Sequence, residues 1–303
     1  SYGFGQKIAE QLAARGHQVF GTSRRALPDQ GKVRMLVLDI TDEALVSNAV
    51  AQVIDEAGRL DVLINNAGVG LCGAVEDTSL AEAQWQMDTN FFGPVRMIRA
   101  VLPQMRSQGS GRIITVSSLA GLAGLPFQPF YSASKYAIEG LNEALRLELS
   151  GSGIDATTIN PGDFKTGFTD ARVFSKQARS GRNAHQLEKT LAIYVRDEQQ
   201  GADPAQVAQL AVRLVEQAKL DLRYPVGAWA QRAGVFAKRL IPARVFEWLM
   251  KTTYSPRTQI VSWVLATALA HSVWPRACST PCAQLRLPPA RPLPIACFPR
   301  YRV

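Results

Sequence analysis

The sequence predicts a doubly wound α/β fold, a parallel sheet with helices on both faces, and two observations carry that expectation. Its candidate strands are short, apolar and β-branched, as strands buried on both faces must be. The order is strand, helix, strand throughout, which is the order of βαβ units.

The elements follow in turn. Residues 6–15 form a helix stopped by Gly16, and 17–23 a strand. Residues 35–40 are a second strand, followed by a helix that Thr41 can cap. A third strand covers 60–65, a long helix 81–105 and a fourth strand 112–117. Another long helix spans 130–149 and a fifth strand 154–159. This is a Rossmann-type arrangement, whose ligands bind beyond the carboxyl ends of the strands. Residues 1–5 resemble the end of a glycine-rich turn that joins a strand to a helix, so the first strand is expected to be missing and the chain to be a fragment.

A chain of 303 residues with 47% apolar and 19% charged residues suits one large globular domain, assigned to residues 1–255. Patterning fades near Ser255 and Pro256. The tail 256–303 is rich in Pro, Arg and Cys, and Pro288, Pro289, Pro292, Pro294 and Pro299 remove backbone donors, so it is expected to be disordered or non-native. Its apolar piece 260–269 is too short to span a bilayer, which needs about 20 residues, and no transmembrane span is expected.

Charge and cysteine usage narrow the function. The net charge is +9, but residues 257–303 hold six arginines and no acids, which leaves +3 for the rest. No basic stripe interleaved with aromatics occurs, so nucleic-acid binding is not expected. Three of the four cysteines lie in the tail and only Cys72 in the body, with no disulfide framework and no amino-terminal signal pattern. A cytoplasmic location is the expectation. His17, His185 and His271 have no ligand spacing and the Cys278 to Cys282 spacing stands alone, so no metal site is expected. The absence of a G-x-S-x-G elbow removes the usual hydrolase reading of such a sheet.

The remaining chemistry converges on a nucleotide and a proton donor. Gly3-Phe4-Gly5 leads into a helix whose amino end can receive a pyrophosphate, although glycines also merely make turns. The next strand ends Thr22-Ser23-Arg24-Arg25, where an arginine can hold a 2′-phosphate and an acid would hold the ribose hydroxyls, so NADP(H) is preferred to NAD(H). Asn65-Asn66-Ala67-Gly68 closes the third strand with small residues that let a cofactor approach. Tyr131 and Lys135, four apart on one helix face, form a pair in which the ammonium would lower the phenol's pKa from about 10. Ser117 and Ser118 end the fourth strand, where a hydroxyl can hold a carbonyl oxygen, and Asn90 is a polar amide among apolar neighbours. Each feature alone also suits a turn or a helix surface.

Together these pieces resemble the short-chain dehydrogenase/reductase family: G-F-G at Gly3, N-N-A-G at Asn65, N-F-F-G at Asn90, the Ser118 strand end, Y-S-A-S-K at Tyr131 and P-G-D-F-K-T at Pro161. The resemblance covers residues 1–170 and departs from the family in lacking the Thr-Gly before the glycine turn. It implies hydride transfer between a nicotinamide and a ketone or secondary alcohol, with Tyr131 moving the proton, Lys135 lowering its pKa and holding the nicotinamide ribose, Ser118 orienting the carbonyl and Asn90 supporting a proton relay. It also implies Asp39 and Ile40 beside the adenine, Asn66, Ala67 and Gly68 beside the adenosine ribose, and Pro161, Gly162, Phe164 and Thr166 on the nicotinamide side. The stretch from Leu125-Pro126-Phe127 through Glu139-Gly140 is similar to steroid- and retinol-type members and implies an apolar small-molecule substrate. A homo-oligomer paired through helices 81–105 and 130–149 follows by the same resemblance, and 165–200 takes the substrate-lid position. The rival reading is a non-catalytic NADP(H)-binding sensor or scaffold of the same fold.

Overall fold

The computed structural model describes residues 3–254. The chain divides into units 1–257 and 258–303, and the expectations for the tail, including the apolar piece 260–269 and the Cys278 to Cys282 spacing, lie outside the described residues.

Helix α1 (Phe4–Ala14) leads into β1 (Val19–Ser23), which pairs in parallel with β2 (Val33–Val37). Helix α2 (Glu43–Ala57) returns the chain to β3 (Val62–Asn65), and short β4 (Leu71–Cys72) follows. Helix α3 (Leu80–Met87) runs through a π-helical turn (Asp88–Phe92) into α4 (Gly93–Gln108) and then β5 (Gly111–Val116). A 3-10 turn (Leu119–Gly121), α5 (Pro129–Glu148), β6 (Ile154–Pro161) and β7 (Val173–Phe174) come next. The described chain ends with α6 (Ala184–Gln199), α7 (Ala205–Glu216), β8 (Arg223–Val226), α8 (Trp229–Ala237) and α9 (Ala243–Tyr254).

The main sheet is parallel in the order β3-β5-β6-β8, and β4 pairs separately with β7. Among the described residues no strand precedes α1, and β1 and β3 are not paired with each other. The side-chain alternation of a strand explains the two layers of helices. Ile114 of β5 and Ile159 of β6 face Ile8 and Leu12 of α1 and Val207, Ala211 and Leu214 of α7. The neighbouring Ile113 and Ala156 face Val101 and Met105 of α4 and Leu145 of α5. Each of the Ile, Leu, Val and Met side chains among them, fully buried, stabilises the fold by roughly 1.5–3 kcal/mol.

The doubly wound parallel sheet is as expected, with two local corrections. Asp42, not Thr41, caps α2: its carboxylate accepts from the N–H groups of Ala44 and Leu45, while Thr41 donates to Asp39. The single helix expected over 81–105 is two helices joined by the π-helical turn. A capping box of Ser79 and Glu82 starts α3, and Pro94, which lacks a backbone donor, opens α4.

Ile114 lies at the centre of one core layer and is fully buried. Ile114→Ala is expected to lower stability by about 2–5 kcal/mol, read from the urea midpoint. A shift below about 0.5 kcal/mol, the size of a surface change, would deny it that place.

Candidate active site

The carboxyl ends of β3, β5 and β6 bring together residues far apart in sequence. Ser118 leaves β5 in extended conformation and caps the 3-10 turn, accepting from Ala120 N–H at 3.1 Å. Ser117 points the other way; its buried hydroxyl has no partner among the described residues. Tyr131 sits in the first turn of α5, half-buried, with its ring 5.7 Å from that of Phe168. The Ser118 hydroxyl donates to Pro161 O at 3.5 Å and is near enough to Tyr131 to oppose the upward shift of its phenol.

Lys135, one turn further along α5, is buried and donates to the Val116 carbonyl at 2.9 Å. Its ammonium has three donors, and a Cβ placed on Gly68 would lie 3.8 Å from Nζ. Burial, not Lys135, is the largest influence on the Tyr131 phenol. Burial pushes the phenol up to about 12, opposed by Ser118 and Arg172. Burial also brings Lys135 down to about 8, opposed by the charge of Glu139. Desolvation is the largest influence on each group.

Asn90 lies in the π-helical turn, a local widening of a helix that is common at functional sites. Its Oδ1 accepts from Val69 N–H at 2.8 Å, and its Nδ2 donates to Val69 O at 2.9 Å and to Ser134 Oγ at 3.2 Å. Ser134 in turn donates to the Tyr131 carbonyl at 2.7 Å. Gln86, one turn earlier and also buried, accepts from Leu71 N–H and donates to Val69 O. Two amides thus fix the backbone after Gly68 and join it to α5.

A second network holds Ser118 from beneath. Glu139 accepts from Asn160 Nδ2 at 2.8 Å and from the Thr158 hydroxyl at 3.2 Å, and pairs with Arg223 at 3.3 Å. Asn160 also donates to the Ser118 carbonyl at 3.4 Å. The sequence assigns no role to Gln86, Ser134, Glu139, Asn160 or Arg223, although Ser134 lies inside the Y-S-A-S-K stretch and Glu139 inside the stretch that ends Glu139-Gly140. The only signal for them is polar residues at positions where the helix or strand faces the sheet.

The expected dinucleotide residues fall along the same edge. Gly3 has φ 118°, a conformation that glycine adopts without strain, and it caps α1 with no side-chain partner. A Cβ on Gly5 would meet Asn66 Nδ2 at 2.6 Å, so the start of α1 and the turn after β3 touch. A helix start with no side-chain cap and no acid in its first turn fits an anionic phosphate. Ser23 and Arg24 follow from β1; Arg24 is exposed, makes no ion pair among the described residues, and helps lower the Asp39 pKa. The Asp39 carboxylate is engaged by Thr41, and Ile40 packs on Gly93. Ala67 and Gly68 are exposed.

Phe164 departs from its expected place. It is 3% exposed in the core, edge-on to Phe4 at 5.3 Å, so its side chain is engaged in packing. Thr166 forms a local turn with Phe168 N–H. Pro161 and Gly162 pass beneath α8, where Gln231 accepts from Asp163 N–H and donates to its carboxylate. Burial raises Asp163 to about 6, against the lowering effect of Gln231.

The expected lid region 165–200 covers the site through Phe168 and α6. Phe168 packs over Gly70 as well as Tyr131. Arg172 and Glu198 form a buried ion pair, and Tyr194 of α6 donates to Pro126 O at 2.9 Å. No helix among the described residues is long and apolar enough to cross a membrane, and none of their His, Cys, Asp and Glu clusters suits a metal ion.

A fold and site of this kind define a nicotinamide-dependent oxidoreductase, and comparison with known proteins agrees. The short chain dehydrogenase family model matches residues 1–177, and the chain belongs to that family. It is 42% identical over 258 residues to a 3-ketodihydrosphingosine reductase of Bacteroides thetaiotaomicron, covering 85% of this chain and 96% of that protein. It is 34% identical over 244 residues to retinol dehydrogenase 8 of Bos taurus, covering 74% and 78% of the two chains. A crystal structure of a short-chain dehydrogenase from Streptomyces avermitilis superposes with a TM-score of 0.69 at 32% identity, over 84% of this chain and 96% of that one.

Asp163 supplies a test of this geometry. The folded state holds its proton more tightly than the unfolded chain, so the stability it contributes is full below the unfolded value of 3.8 and is lost as pH rises through about 6. Asp163→Asn is therefore expected to raise Tm near neutral pH and to change it little in acid. An equal shift at both pH values would show that Asp163 is not a buried carboxylate.

Proposed function

We propose that the protein is an NADP(H)-dependent reductase of an apolar ketone, with Asn90, Ser118, Tyr131 and Lys135 as its working set. The observation that carries this reading is the proximity of Ser118, at the end of β5, to the Tyr131 and Lys135 pair of α5, with Lys135 bonded to Val116 O and burial pushing the phenol up to about 12. A phenol so raised stays protonated at physiological pH and is a proton donor rather than a base.

When bound, the dinucleotide supplies the hydride that reduces the carbonyl carbon. The uncapped start of α1 would receive its pyrophosphate, Arg24 with Ser23 its 2′-phosphate, and the free donors of Lys135 its ribose beside Gly68. Ser118 Oγ holds the substrate oxygen, and Tyr131 Oη gives it a proton as negative charge develops there. Asn90 keeps the turn after β3 and the Tyr131 backbone in register, through Val69 and Ser134. The Phe168 ring over Tyr131 favours an apolar substrate. Similarity to a 3-ketodihydrosphingosine reductase supports a long-chain ketone in particular. The working location of such an enzyme is wherever NADPH and that ketone meet, with the cytoplasm the first expectation.

Tyr131→Phe is expected to lower kcat by about 10²- to 10⁴-fold while NADPH binding, followed by fluorescence, is retained. Normal turnover by that variant would overturn the proton-donor role, whereas NADPH binding by the parent with no turnover of any ketone or alcohol would favour the binding-module reading. Arg24→Asp should weaken NADPH far more than NADH, and equal effects would remove Arg24 from the 2′-phosphate. Lys135 at about 8 sets the pH dependence: it is charged below that value, so kcat/KM for reduction should fall as pH rises through about 8. Lys135→Met should lose that limb along with most activity; a limb that persisted would belong to another group.

A further inference from the structure

Helices α8 and α9 contribute no buried residue to the core, and what they expose is unusually apolar. Trp229 is 79% exposed and Phe236 63%, seven apart on one face of α8, and Leu240 in the turn that follows is 72% exposed. On α9, Phe246, Met250 and Tyr254 are partly covered, while Val245, Trp248 and Leu249 stand outward as a separate stripe. Large exposed apolar side chains gathered in this way mark a surface that binds something.

The charge around them says what. Residues 229–254 carry Arg232, Lys238, Arg239, Arg244 and Lys251 against the single acid Glu247, which is paired with Lys251 at 2.7 Å. A second copy would present the same positive charge, and residues 258–303 contain arginines and no acids, so neither complements this surface. Nucleic acid would answer the charge but leave Trp229, Phe236 and Trp248 in water. An anionic bilayer answers both, because its headgroups attract Lys and Arg while Trp, Phe and Leu enter the acyl boundary.

The patch also lies at the rim of the site. Gln231 of α8 clasps the Asp163 backbone and carboxylate, and Lys238 donates to Leu122 O at 2.7 Å, just past the turn that Ser118 caps. Tyr254 of α9 stacks at 5.1 Å on Tyr194 of α6. We propose that α8 and α9 form an interfacial docking surface for an anionic lipid bilayer, which sets the active-site rim against the layer where a long-chain ketone resides. The substrate half of this inference rests on the reductase reading; the docking half rests on the surface alone.

The test is sedimentation of the full chain with vesicles of phosphatidylcholine, with and without phosphatidylglycerol, together with light scattering of the free protein. Binding is expected to the anionic vesicles, to weaken with salt, and to fall more than about tenfold in W229S/F236S/W248S and in R239E/R244E. All these side chains are exposed, and both variants should reduce a short water-soluble ketone like the parent. No sedimentation, or sedimentation unaltered by the variants, would overturn the proposal. So would a dimer that W229S/F236S/W248S converts to monomer, since the patch would then join two copies. Failure of the reductase reading is distinguishable, because it abolishes ketone turnover and leaves sedimentation unchanged.

Discussion

The face that α5 turns toward the sheet is polar, and the order of the site depends on how that face is satisfied. Of its buried residues, Ser132, Ser134, Lys135, Glu139 and Asn142 carry polar groups. Ser132 accepts from Leu125 N–H, Lys135 donates to Val116 O and Asn142 donates to Leu222 O. Glu139 gathers Thr158, Asn160 and Arg223. Further along, Arg146 donates to the Leu220 carbonyl. An apolar helix face tolerates small slides, whereas each of these groups, buried and unpaired, would cost about 1–3 kcal/mol or more. The hydrogen bonds therefore fix the helix in one register on the strand ends. Lys135 and Tyr131 inherit that register.

The same burial sets the chemistry. Removing water disfavours the charged form of each group, so it moves Tyr131 and Lys135 in opposite directions on the pH scale. The result is a phenol that keeps its proton and an ammonium that loses its own unusually easily. Glu139 opposes the second shift, and because Glu139 is also bonded to Asn160, the group that tunes Lys135 helps to hold the Ser118 backbone. Electrostatics and geometry are coupled through one carboxylate. Its partner Arg223 comes from β8, so the edge strand of the sheet takes part in the centre. Such a buried pair is costly to desolvate, and its value lies in the arrangement it imposes rather than in stability.

Much of the fold was legible because two periodicities, one for strands and one for helices, survive in any sequence that must bury both faces of a sheet. The residues Asn90, Ser118, Tyr131 and Lys135 stood out by type and spacing. Gln86, Glu139 and Asn160 did not, because a polar residue in an amphipathic pattern is ordinarily a surface residue and only the packed structure shows it buried. Thr41 and Asp42 are adjacent and both can cap a helix; Asp42 wins because the Asp39 carboxylate holds Thr41. Phe164 lies within a matching motif, yet its ring is taken by Phe4, a partner more than a hundred residues away. The pKa directions were beyond reach for the same reason: burial is a property of the whole molecule, and spacing reports only the pair.

Asp163 and Gln231 link the inside of the site to its outer rim. Gln231 both accepts from and donates to Asp163, and by donating it holds the carboxyl below where burial alone would put it. A displacement of α8 that removes this amide raises the proton affinity of Asp163. By linkage, protonation of Asp163 weakens the hold on α8 to the same extent. The two events share one free energy. The loop from Pro161 to Phe164 and the helix that exposes Trp229 and Phe236 are therefore coupled through one amide.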